Sequence, residues 1–374
     1  MKFVISTQEL NYLVTKCMSV VPAKSTIPLL SNILVEAAND ELILTATDLT
    51  VGIRCYTDAK ILEEGSTTIP GKHFLNLIRE LTSVNVEFST NSNEVATLVA
   101  DSSKFKINGM DRSEYPALPD ISESIQIKLK QSELKEMLFS TAFAVSKEDN
   151  RFALTGVFLQ IQDGMATFVG TDGKRLSRSF LPIQVDSSIS GQYIVPLKAV
   201  EEIEKNLEGE EEATLYLLED KIAVDAGHTI IITKLLSGDY PDVTKVIPEK
   251  TESVVSLHRE ELTTLLRQVA LYTKTDTDSV RFTFSDGELK LKVDDMEKGE
   301  GDVSMPVNYH GEKLEIAFNP NFFLDVLRHT KNETVNIGLT DAFNPGLITD
   351  QEGVDPSKQS SPLFVLMPMR LKKD

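Results

Sequence analysis

Side chains suited to catalysis or metal binding are few and dispersed in this sequence. The five histidines show no HExxH spacing, which would place two imidazoles on one helical face for zinc. No GxSxG or GxGxxG motif is present, and residues 170–175 (GTDGKR) lack the spacing and the Ser or Thr of a Walker A loop. Asp294 and Asp295 could ligate a metal, but a solvated turn is the preferred interpretation. The sequence therefore predicts no catalytic site, no cofactor and no metal.

The last residues of the chain instead have the chemistry of a binding surface. An apolar run, FVLMPMRL at 364–371, precedes the charged tail KKD at 372–374. A final strand explains 364–366 but not Met367, Pro368 and Met369, because proline is not tolerated inside a central strand. Methionine side chains adapt to varied partners, so a peptide groove is one interpretation. Packing of a linker between domains is the other, and these residues alone do not decide between them.

Length and composition bound the class of protein. At 374 residues the chain is too long for one core, which favours two or three domains. Its apolar fraction of 41% and charged fraction of 25% are typical of soluble globular proteins. The two cysteines form no CxxC pair. No apolar run is long enough to span a bilayer, and the apolar stretch at the start of the sequence is too short for a signal peptide. We therefore expect a cytoplasmic protein without membrane contact.

The elements that must position these side chains come from a pattern that occurs three times. In the central copy, alternating apolar residues at 125–129 predict a strand. Apolar residues then follow from Leu134 to Val145 at the i, i+3, i+4, i+7 spacing of an amphipathic helix. The same order begins again near residues 3 and 254. Such repetition predicts three equivalent domains.

Each copy continues in the same way. Two strands follow the first helix, and a further strand reaches a proline, Pro70, Pro196 or Pro320, where a second helical segment opens. Each domain is therefore predicted as a strand–helix–strand unit used twice, which is an α+β layout. Polar linkers containing Tyr115-Pro116 and Tyr240-Pro241 separate the copies. We place the domains at residues 1–123, 124–250 and 251–374.

The net charge of −19 is unevenly distributed. The six predicted helical segments carry +3 in total, so the remainder carries −22. One interpretation is that lysine and arginine are simply good helix formers. The other is that the helices share a surface that faces a polyanion.

A set of motifs then connects the repeats to a known family. They are TDGKRL at 171–176, DYPD at 239–242, FLDVL at 323–327, VLMPMRL at 365–371, MKF at 1–3 and KSTIPLL at 24–30. With the three-copy layout, these motifs closely resemble the bacterial sliding clamps, the beta subunits of DNA polymerase III. The resemblance implies a DNA-clamp fold in which helices line a ring and sheets lie outside. It also implies a non-enzymatic processivity factor, a head-to-tail homodimer that encircles duplex DNA, slides without sequence specificity and tethers the replicative polymerase.

The width of a DNA duplex independently favours two copies in such a ring. Helices pack roughly 10 Å apart, so six in a circle give a ring about 19 Å across at their axes. Subtracting roughly 10 Å of helix width leaves about 9 Å, narrower than the ~12 Å major groove. Twelve helices leave about 28 Å free. If helices line a hole for DNA, two chains can form it and one cannot.

The resemblance also assigns residues to two surfaces of each chain. Cations that would contact phosphates without base readout are Lys24, Lys72, Lys147, Arg151 and Lys198. A hydrophobic pocket between the second and third domains would take a short peptide ending in Leu-Phe-like residues. The matching positions are Leu154, Thr171, Gly173, Lys174, Arg175, Leu176, Pro241, Val246, Phe322, Val365, Met367, Pro368, Met369 and Arg370.

Three features of this chain depart from the family pattern. Lys174 often has a histidine counterpart, and Phe322 lacks the hydroxyl of the more familiar tyrosine. Three residues, 372–374, follow Leu371. The first two are expected to change the peptide preference, and the tail to screen part of the pocket.

The dimer contact is expected to join the first domain of one copy to the third domain of the other. Phe105 and Ile107 alternate on a predicted edge strand and would face Leu271 and Tyr272. Pairs between Lys104 or Lys106 and Glu297 or Glu300 would add to this contact. An ordinary surface hairpin is the alternative interpretation of the strand.

Expected partners are therefore double-stranded DNA, a second copy of the chain, the replicative polymerase, the clamp loader and other proteins with a clamp-binding motif. Two other classes remain open from the residues alone. An enzyme with a diffuse site would reveal itself by turnover, and a monomeric repeat scaffold by a mass near 41.5 kDa in solution.

Overall fold

Six α-helices form where the repeat predicts them. The computed structural model describes residues 1–147, 149–186, 188–274, 279–351 and 360–370. Within these ranges the helices are α1 Thr7–Met18, α2 Gly71–Arg79, α3 Gln131–Ala142, α4 Leu197–Asn206, α5 Arg259–Ala270 and α6 Pro320–Arg328. Short 3-10 segments lie at Pro28–Ser31, Arg112–Glu114, Asp149–Thr155 and Val243–Val246. None of the described helices is long and apolar enough to cross a membrane.

The strands also follow the three copies. The first contributes β1 Lys2–Ser6, β2 Asn32–Ala38, β3 Glu41–Thr47, β4 Val51–Asp58, β5 Lys60–Glu63, β6 Gly65–Pro70, β7 Asn85–Thr90, β8 Val95–Ala100 and β9 Ser103–Asn108. The second contributes β10 Ile125–Lys130, β11 Gly156–Gln162, β12 Met165–Thr171, β13 Arg175–Pro182, β14 Gly191–Pro196, β15 Glu212–Leu217, β16 Lys221–Asp225 and β17 Thr229–Lys234. The third contributes β18 Ser253–His258, β19 Val280–Ser285, β20 Glu288–Asp295, β21 Gly299–Pro306, β22 Leu314–Phe318, β23 Thr334–Leu339, β24 Gly346–Thr349 and β25 Leu363–Leu366.

Helix α1 illustrates why these segments fold as they do. Ser6 caps it by accepting a hydrogen bond from the Glu9 N–H at 3.1 Å, which satisfies one of the free donors of the first turn. Its apolar stripe, including Leu10 and Val14, is buried against β3, β4 and α2. Full burial of a leucine side chain contributes about 2 kcal/mol. Tertiary packing of the stripe therefore holds the helix in place.

Two eight-stranded sheets have the same strand order. One runs β10-β15-β16-β17-β4-β3-β2-β6, and the other runs β18-β23-β24-β25-β13-β12-β11-β14. Each combines half of the second copy with half of a neighbouring copy, and all their pairings are antiparallel. The α+β prediction is confirmed.

Because sheets are shared between copies, the compact units do not coincide with the three predicted domains. One unit comprises residues 1–135 and 198–235, and the other comprises 136–197 and 236–374. The boundaries near 123 and 250 describe the sequence repeat and remain predictions. The second copy is divided because its two halves complete different sheets.

Two smaller sheets end in strands that lack a neighbour. The first unit contains β5-β1-β7-β8-β9, and the second contains β21-β20-β19-β22. Among the described residues, β9 pairs only with β8 and β21 only with β20. In the eight-stranded sheets, the strands that correspond to them, β17 and β4, pair with each other.

Candidate functional site

A tight turn between β12 and β13 forms the base of the candidate peptide site. The Thr171 hydroxyl donates to the Arg175 carbonyl at 2.6 Å and accepts from the Gly173 N–H at 3.1 Å. The Asp172 carboxylate accepts from the N–H groups of Lys174 and Arg175, both at 2.9 Å. Gly173 has φ +81°, which glycine adopts without steric cost. The hairpin turn predicted from Thr171-Asp172-Gly173 is therefore confirmed.

The Arg175 side chain organises the surroundings of this turn. Its guanidinium pairs with the Asp172 carboxylate at 3.2 Å and with the Asp325 carboxylate at 2.5 Å, and donates to the Phe143 carbonyl at 3.0 Å. It also lies 4.7 Å from the centre of the Phe322 ring. Because only 10% of the side chain is exposed, Arg175 positions the site and offers little to an incoming ligand.

An apolar cleft of about 240 Å³ opens beside the turn. It is lined by Arg151, Leu154, Thr171, Gly173, Arg175, Leu176, Pro241, Asp242, Val243, Val246, Val365 and Met367. A small buried cluster that includes Val169, Ile247 and Leu363 supports its floor. A preformed apolar cleft with a few polar groups has the character of a site for a short peptide or small molecule.

The outer wall of the cleft is a segment anchored by Tyr240. The phenol donates to the Val169 carbonyl at 3.4 Å, and its ring stacks on Phe158 with centroids 4.6 Å apart. Burial raises the pKa of the Tyr240 phenol, so the group stays a neutral donor at physiological pH. Asp242 then caps the turn that follows by accepting from the Thr244 N–H at 3.1 Å. The wall is therefore fixed before any ligand binds.

The C-terminal residues line the cleft at one position and pair with the chain's own backbone at another. The Met367 N–H donates to the Lys174 carbonyl at 3.0 Å, and its exposed side chain lines the cleft. The Met369 N–H donates to the Ala317 carbonyl at 2.8 Å and forms a single bridge to β22. Met367 thus lines the candidate peptide site, whereas the Met369 backbone pairs with the chain itself. Leu371 and the tail at 372–374 lie outside the described residues.

A more polar recess of about 260 Å³ adjoins the cleft. It is lined by Val145, Ser146, Lys147, Arg151, Asp172, Lys174, Arg175, Asn321, Phe322 and Asp325. Arg151 and Arg175 line both cavities, so together they form one continuous surface. The structure brings Lys174 and Phe322, the two departures from the family pattern, together in this recess.

Most of the expected pocket residues therefore lie around these two cavities. Pro368, Met369 and Arg370 line neither of them. Asp242 and Val243 also line the cleft and were not predicted from the sequence, although the DYPD motif at 239–242 pointed to this segment. The structure places Lys147 and Arg151, which were assigned to the DNA-facing set, in the lining of the polar recess.

The other cations of the DNA-facing set are exposed. Within the described ranges, no ion pair involves Lys24, Lys72 or Lys147, whereas Lys198 pairs with Asp48. Burial alone would raise the pKa of Asp48, but the Lys198 ammonium and the backbone N–H groups it accepts from hold that pKa below its usual range. The described residues contain no cluster of three or more His, Cys, Asp and Glu that could hold a metal.

The residues expected at the dimer contact lie on or near the two strands without a neighbour. Phe105 on β9 is 37% exposed and Leu271, just after α5, is 75% exposed. Ile107 is buried in its own sheet, with 3% exposed, because its side chain points to the face opposite that of Lys106. Within one chain Ile107 therefore leaves little apolar surface exposed, and its expected place at the dimer contact remains a prediction. Glu297 pairs with Lys274 at 2.6 Å within its own chain.

Comparison with known proteins is consistent with this fold. Family models of the DNA polymerase III beta subunit match three ranges: the N-terminal domain at 1–119, the central domain at 128–242 and the C-terminal domain at 244–370. The beta sliding clamp of Chlamydia pneumoniae is 51% identical over 374 residues, covering 100% of both chains. That of Haemophilus influenzae is 30% identical, covering 99% of this chain and 100% of the other.

Solved structures of sliding clamps have the same fold as this chain. The sliding clamp of Pseudomonas aeruginosa bound to griselimycin superposes with a TM-score of 0.93 at 28% identity, covering 99% of this chain and 100% of the other. The DNA polymerase sliding clamp of Bacillus subtilis, 24% identical with full coverage of both chains, has the same fold with a TM-score of 0.93.

The three matched domains and the α+β fold identify a non-catalytic accessory protein of replication. The chain belongs to the family of bacterial beta sliding clamps, the beta subunits of DNA polymerase III. It is a polymerase processivity factor that works with DNA and polymerase as a dimer.

Proposed function

We propose that two copies of this chain close head to tail into a ring that encircles duplex DNA, slides on it and tethers partner proteins through the apolar cleft. The observation that carries this proposal is the pair of unpartnered strands β9 and β21. The corresponding strands β17 and β4 pair inside an eight-stranded sheet. Pairing of β9 with β21 of the partner would complete the same sheet a third time and remove both exposed edges.

The repeat also suggests a register for this intermolecular pair. Counted from the hairpins that precede them, Lys106 corresponds to Ile232 and Glu300 to Gly52. Because Ile232 lies opposite Gly52, Lys106 would lie opposite Glu300 of the partner subunit. Opposite charges at facing positions of an antiparallel pair are mutually stabilising.

The same register gives the neighbouring contacts. Lys104 would lie opposite Asp302 rather than near Glu297, and Phe105 would lie opposite Gly301. The Tyr272 ring lies 3.5 Å from the position that a β-carbon on Gly301 would take, so Phe105 would pack over a backbone flanked by an aromatic ring. In protein interfaces, a buried aromatic residue surrounded by charged pairs often contributes most of the binding free energy.

Charge reversal tests this interface. Lys106→Glu and Glu300→Lys should each convert the dimer to a species near 41.5 kDa in light scattering, because each places like charges opposite one another. Combining the two substitutions should restore the dimer. Lys60→Glu, on the exposed edge strand β5, is the matched control. Dimers that persist in both single variants would contradict the proposed register.

Inside the ring, a sliding contact needs cations for phosphate without any reading of the bases. Lys24, Lys72, Lys147 and Lys198 are exposed and fit that role. With a net charge of −19 overall, the other surfaces would repel DNA. These charges support a loose contact in which the closed ring, not local affinity, retains the protein on the duplex.

The apolar cleft would receive the replicative polymerase, the clamp loader and other proteins that carry a short motif ending in Leu-Phe-like residues. Its apolar lining by Leu154, Leu176 and Val365 suits two adjacent hydrophobic side chains. The polar recess would take the preceding residues of the motif, with Lys174 available to an acidic or amide side chain. Such a protein would act on DNA in the cytoplasm.

A further inference from the structure

The first unit contains a cleft of its own, about 470 Å³ in volume, on the sheet that holds β4 and β17. Its lining includes Leu49 and Gly52 near the start of β4, Leu118 from the segment after Tyr115, and Lys234 of β17. All of these residues belong to one compact unit. The cleft is therefore complete within a single chain.

The repeat relates this cleft to the candidate peptide site of the other unit. Strand β17 runs beside β4 as β25 runs beside β13, and Ile232 holds the position of Val365. Two residues further along, Lys234 lines this cleft where Met367 lines the peptide site. The two cavities thus occupy equivalent places on two sheets of identical strand order.

The turn at the base of the cleft is built in the same way in both units. The Thr47 hydroxyl donates to the Val51 carbonyl at 3.0 Å and accepts from the Leu49 N–H at 3.0 Å. The Asp48 carboxylate accepts from the N–H groups of Thr50 and Val51 at 2.8 and 2.7 Å. These contacts repeat those of the turn that begins at Thr171.

One residue of this turn carries an unfavourable side chain. Leu49 has φ +74° at the position where the second copy has Gly173 at φ +81°. A branched apolar residue is rarely found in this region of conformational space, because its β-carbon approaches the backbone. Leu49 is nevertheless 45% exposed at the mouth of the cleft. Strained residues that present a side chain to solvent are concentrated at ligand sites.

The outer wall is anchored as firmly as that of the peptide site. The Tyr115 phenol, which corresponds to Tyr240, donates to the carbonyls of Asn32 and Thr45 at 3.2 Å each. The end of the Leu118 side chain then packs directly over Gly52, in the space that a β-carbon there would take. The apolar floor is therefore preformed rather than created by a ligand.

The charge of this cleft differs from that of the peptide site. Lys221 and Lys234 face each other across β16 and β17, where like charges are unfavourable. Lys221 pairs with Asp220 at 2.6 Å, whereas no ion pair within the described residues involves Lys234. Two ammonium groups beside one carboxylate leave a net positive charge at the rim of an apolar cavity. This combination fits a ligand with both aliphatic and anionic groups.

We propose that this cleft is a second peptide-binding site, one that takes a short acidic segment of a partner protein. An aliphatic side chain of that segment enters between Leu49, Leu118 and Ile232, and a neighbouring carboxylate faces Lys221 and Lys234. The apolar floor favours such a peptide over nucleic acid, whose phosphates would use only the lysines. The proposal concerns a cleft separate from the one in the proposed function and does not depend on it.

Methyl-labelled full-length protein provides the test. The probes are acetyl-Leu-Asp-Leu-Asp-amide and its uncharged counterpart acetyl-Leu-Asn-Leu-Asn-amide, and the reporters are the methyl signals of Ile232, Leu118 and Val365. The acidic peptide should shift the Ile232 and Leu118 signals in a saturable way. The uncharged peptide should bind this site about threefold to fivefold more weakly, as expected for loss of an exposed ion pair.

Variants assign the effect to the cleft. Lys234→Gln should weaken binding of the acidic peptide at Ile232 by a similar factor, while Lys60→Gln, on strand β5, leaves it unchanged. The Val365 signal reports the other cleft separately, so failure at one site is distinguishable from failure at the other. The proposal is overturned if Ile232 shows no saturable shift at millimolar peptide, if both peptides bind it equally, or if only an oligonucleotide such as oligo-dT shifts it.

Discussion

At the scale of residues, Arg175 explains how the peptide site keeps its shape. Its guanidinium joins carboxylates from two segments far apart in sequence, Asp172 and Asp325, and lies over the Phe322 ring. Arginine can do this because its planar fork forms several hydrogen bonds at once, which the point charge of lysine cannot. The residue therefore connects the turn of one sheet to helix α6.

Replacing Arg175 should lower the free energy of unfolding of the protein. Arg175→Met removes the cation that joins two partly buried carboxylates, of which Asp325 keeps a second pair with Arg328 at 2.8 Å, and should lower the free energy of unfolding by about 2 kcal/mol. Urea unfolding followed by circular dichroism measures this loss. The neighbouring exposed Lys174→Met is the control and should change stability by less than about 0.5 kcal/mol. Equal stability of the two variants would refute this role for Arg175.

Asp48 provides a pH-dependent contribution in the other unit. A folded-state pKa held below the ordinary value of about 3.9 gives stability that is fully present above that value and is lost as the pH falls through the folded pKa. Lys198→Met removes one cause of the lowered pKa, so the variant should be less destabilised by acid relative to its own stability near neutrality. Unfolding free energies measured between neutral pH and pH ~3 test this. Parallel pH profiles of the variant and the parent chain would rule it out.

At the scale of elements, periodicity alone located the six helices and most strands. Helix α5 begins at Arg259 because His258 caps it, and its apolar stripe was legible in the sequence. The pairing of the strands could not be predicted from the sequence. Alternation reveals which face of a strand is buried but not which strand lies beside it. The pairing of β17 with β4 joins segments more than a hundred residues apart, and only the structure reveals it.

The site was predictable to a similar degree. Of the TDGKRL and C-terminal motifs that carried the resemblance, some residues line the cleft: Thr171, Gly173, Arg175, Leu176, Val365 and Met367. Val243 was missed because it lies on an irregular segment without periodicity. Alternation on β9 showed that Phe105 and Ile107 share a face, but not that the sheet's own core covers Ile107 far more than Phe105.

The C-terminal strand supplies a test at this scale. A chain that ends at Leu366 keeps β25 but lacks Met367, which lines the cleft. It should no longer bind the replicative polymerase in surface plasmon resonance, while light scattering still reports the dimer. A chain that ends at Arg370 is the matched control and should bind at least as well as the full chain. Polymerase binding by the Leu366 chain would count against the cleft.

At the scale of the whole molecule, one sheet plan is used repeatedly. Two eight-stranded sheets of identical order form within the chain, and the proposed dimer would form a third from β9 and β21 of two copies. Dimerisation would then repeat between chains the strand pairing that operates inside each chain. A ring built this way would hold DNA by enclosure and would need little affinity for it.

Retention on circular DNA tests this claim most directly. The protein is loaded onto nicked circular duplex by the clamp loader, and the complex is separated from free protein by gel filtration. Half of it is then linearised with a restriction enzyme. Enclosure predicts that the protein elutes with the circular DNA and is lost from the linear DNA of identical sequence. Equal retention on both forms would mean that the protein grips DNA locally and would contradict a closed, sliding ring.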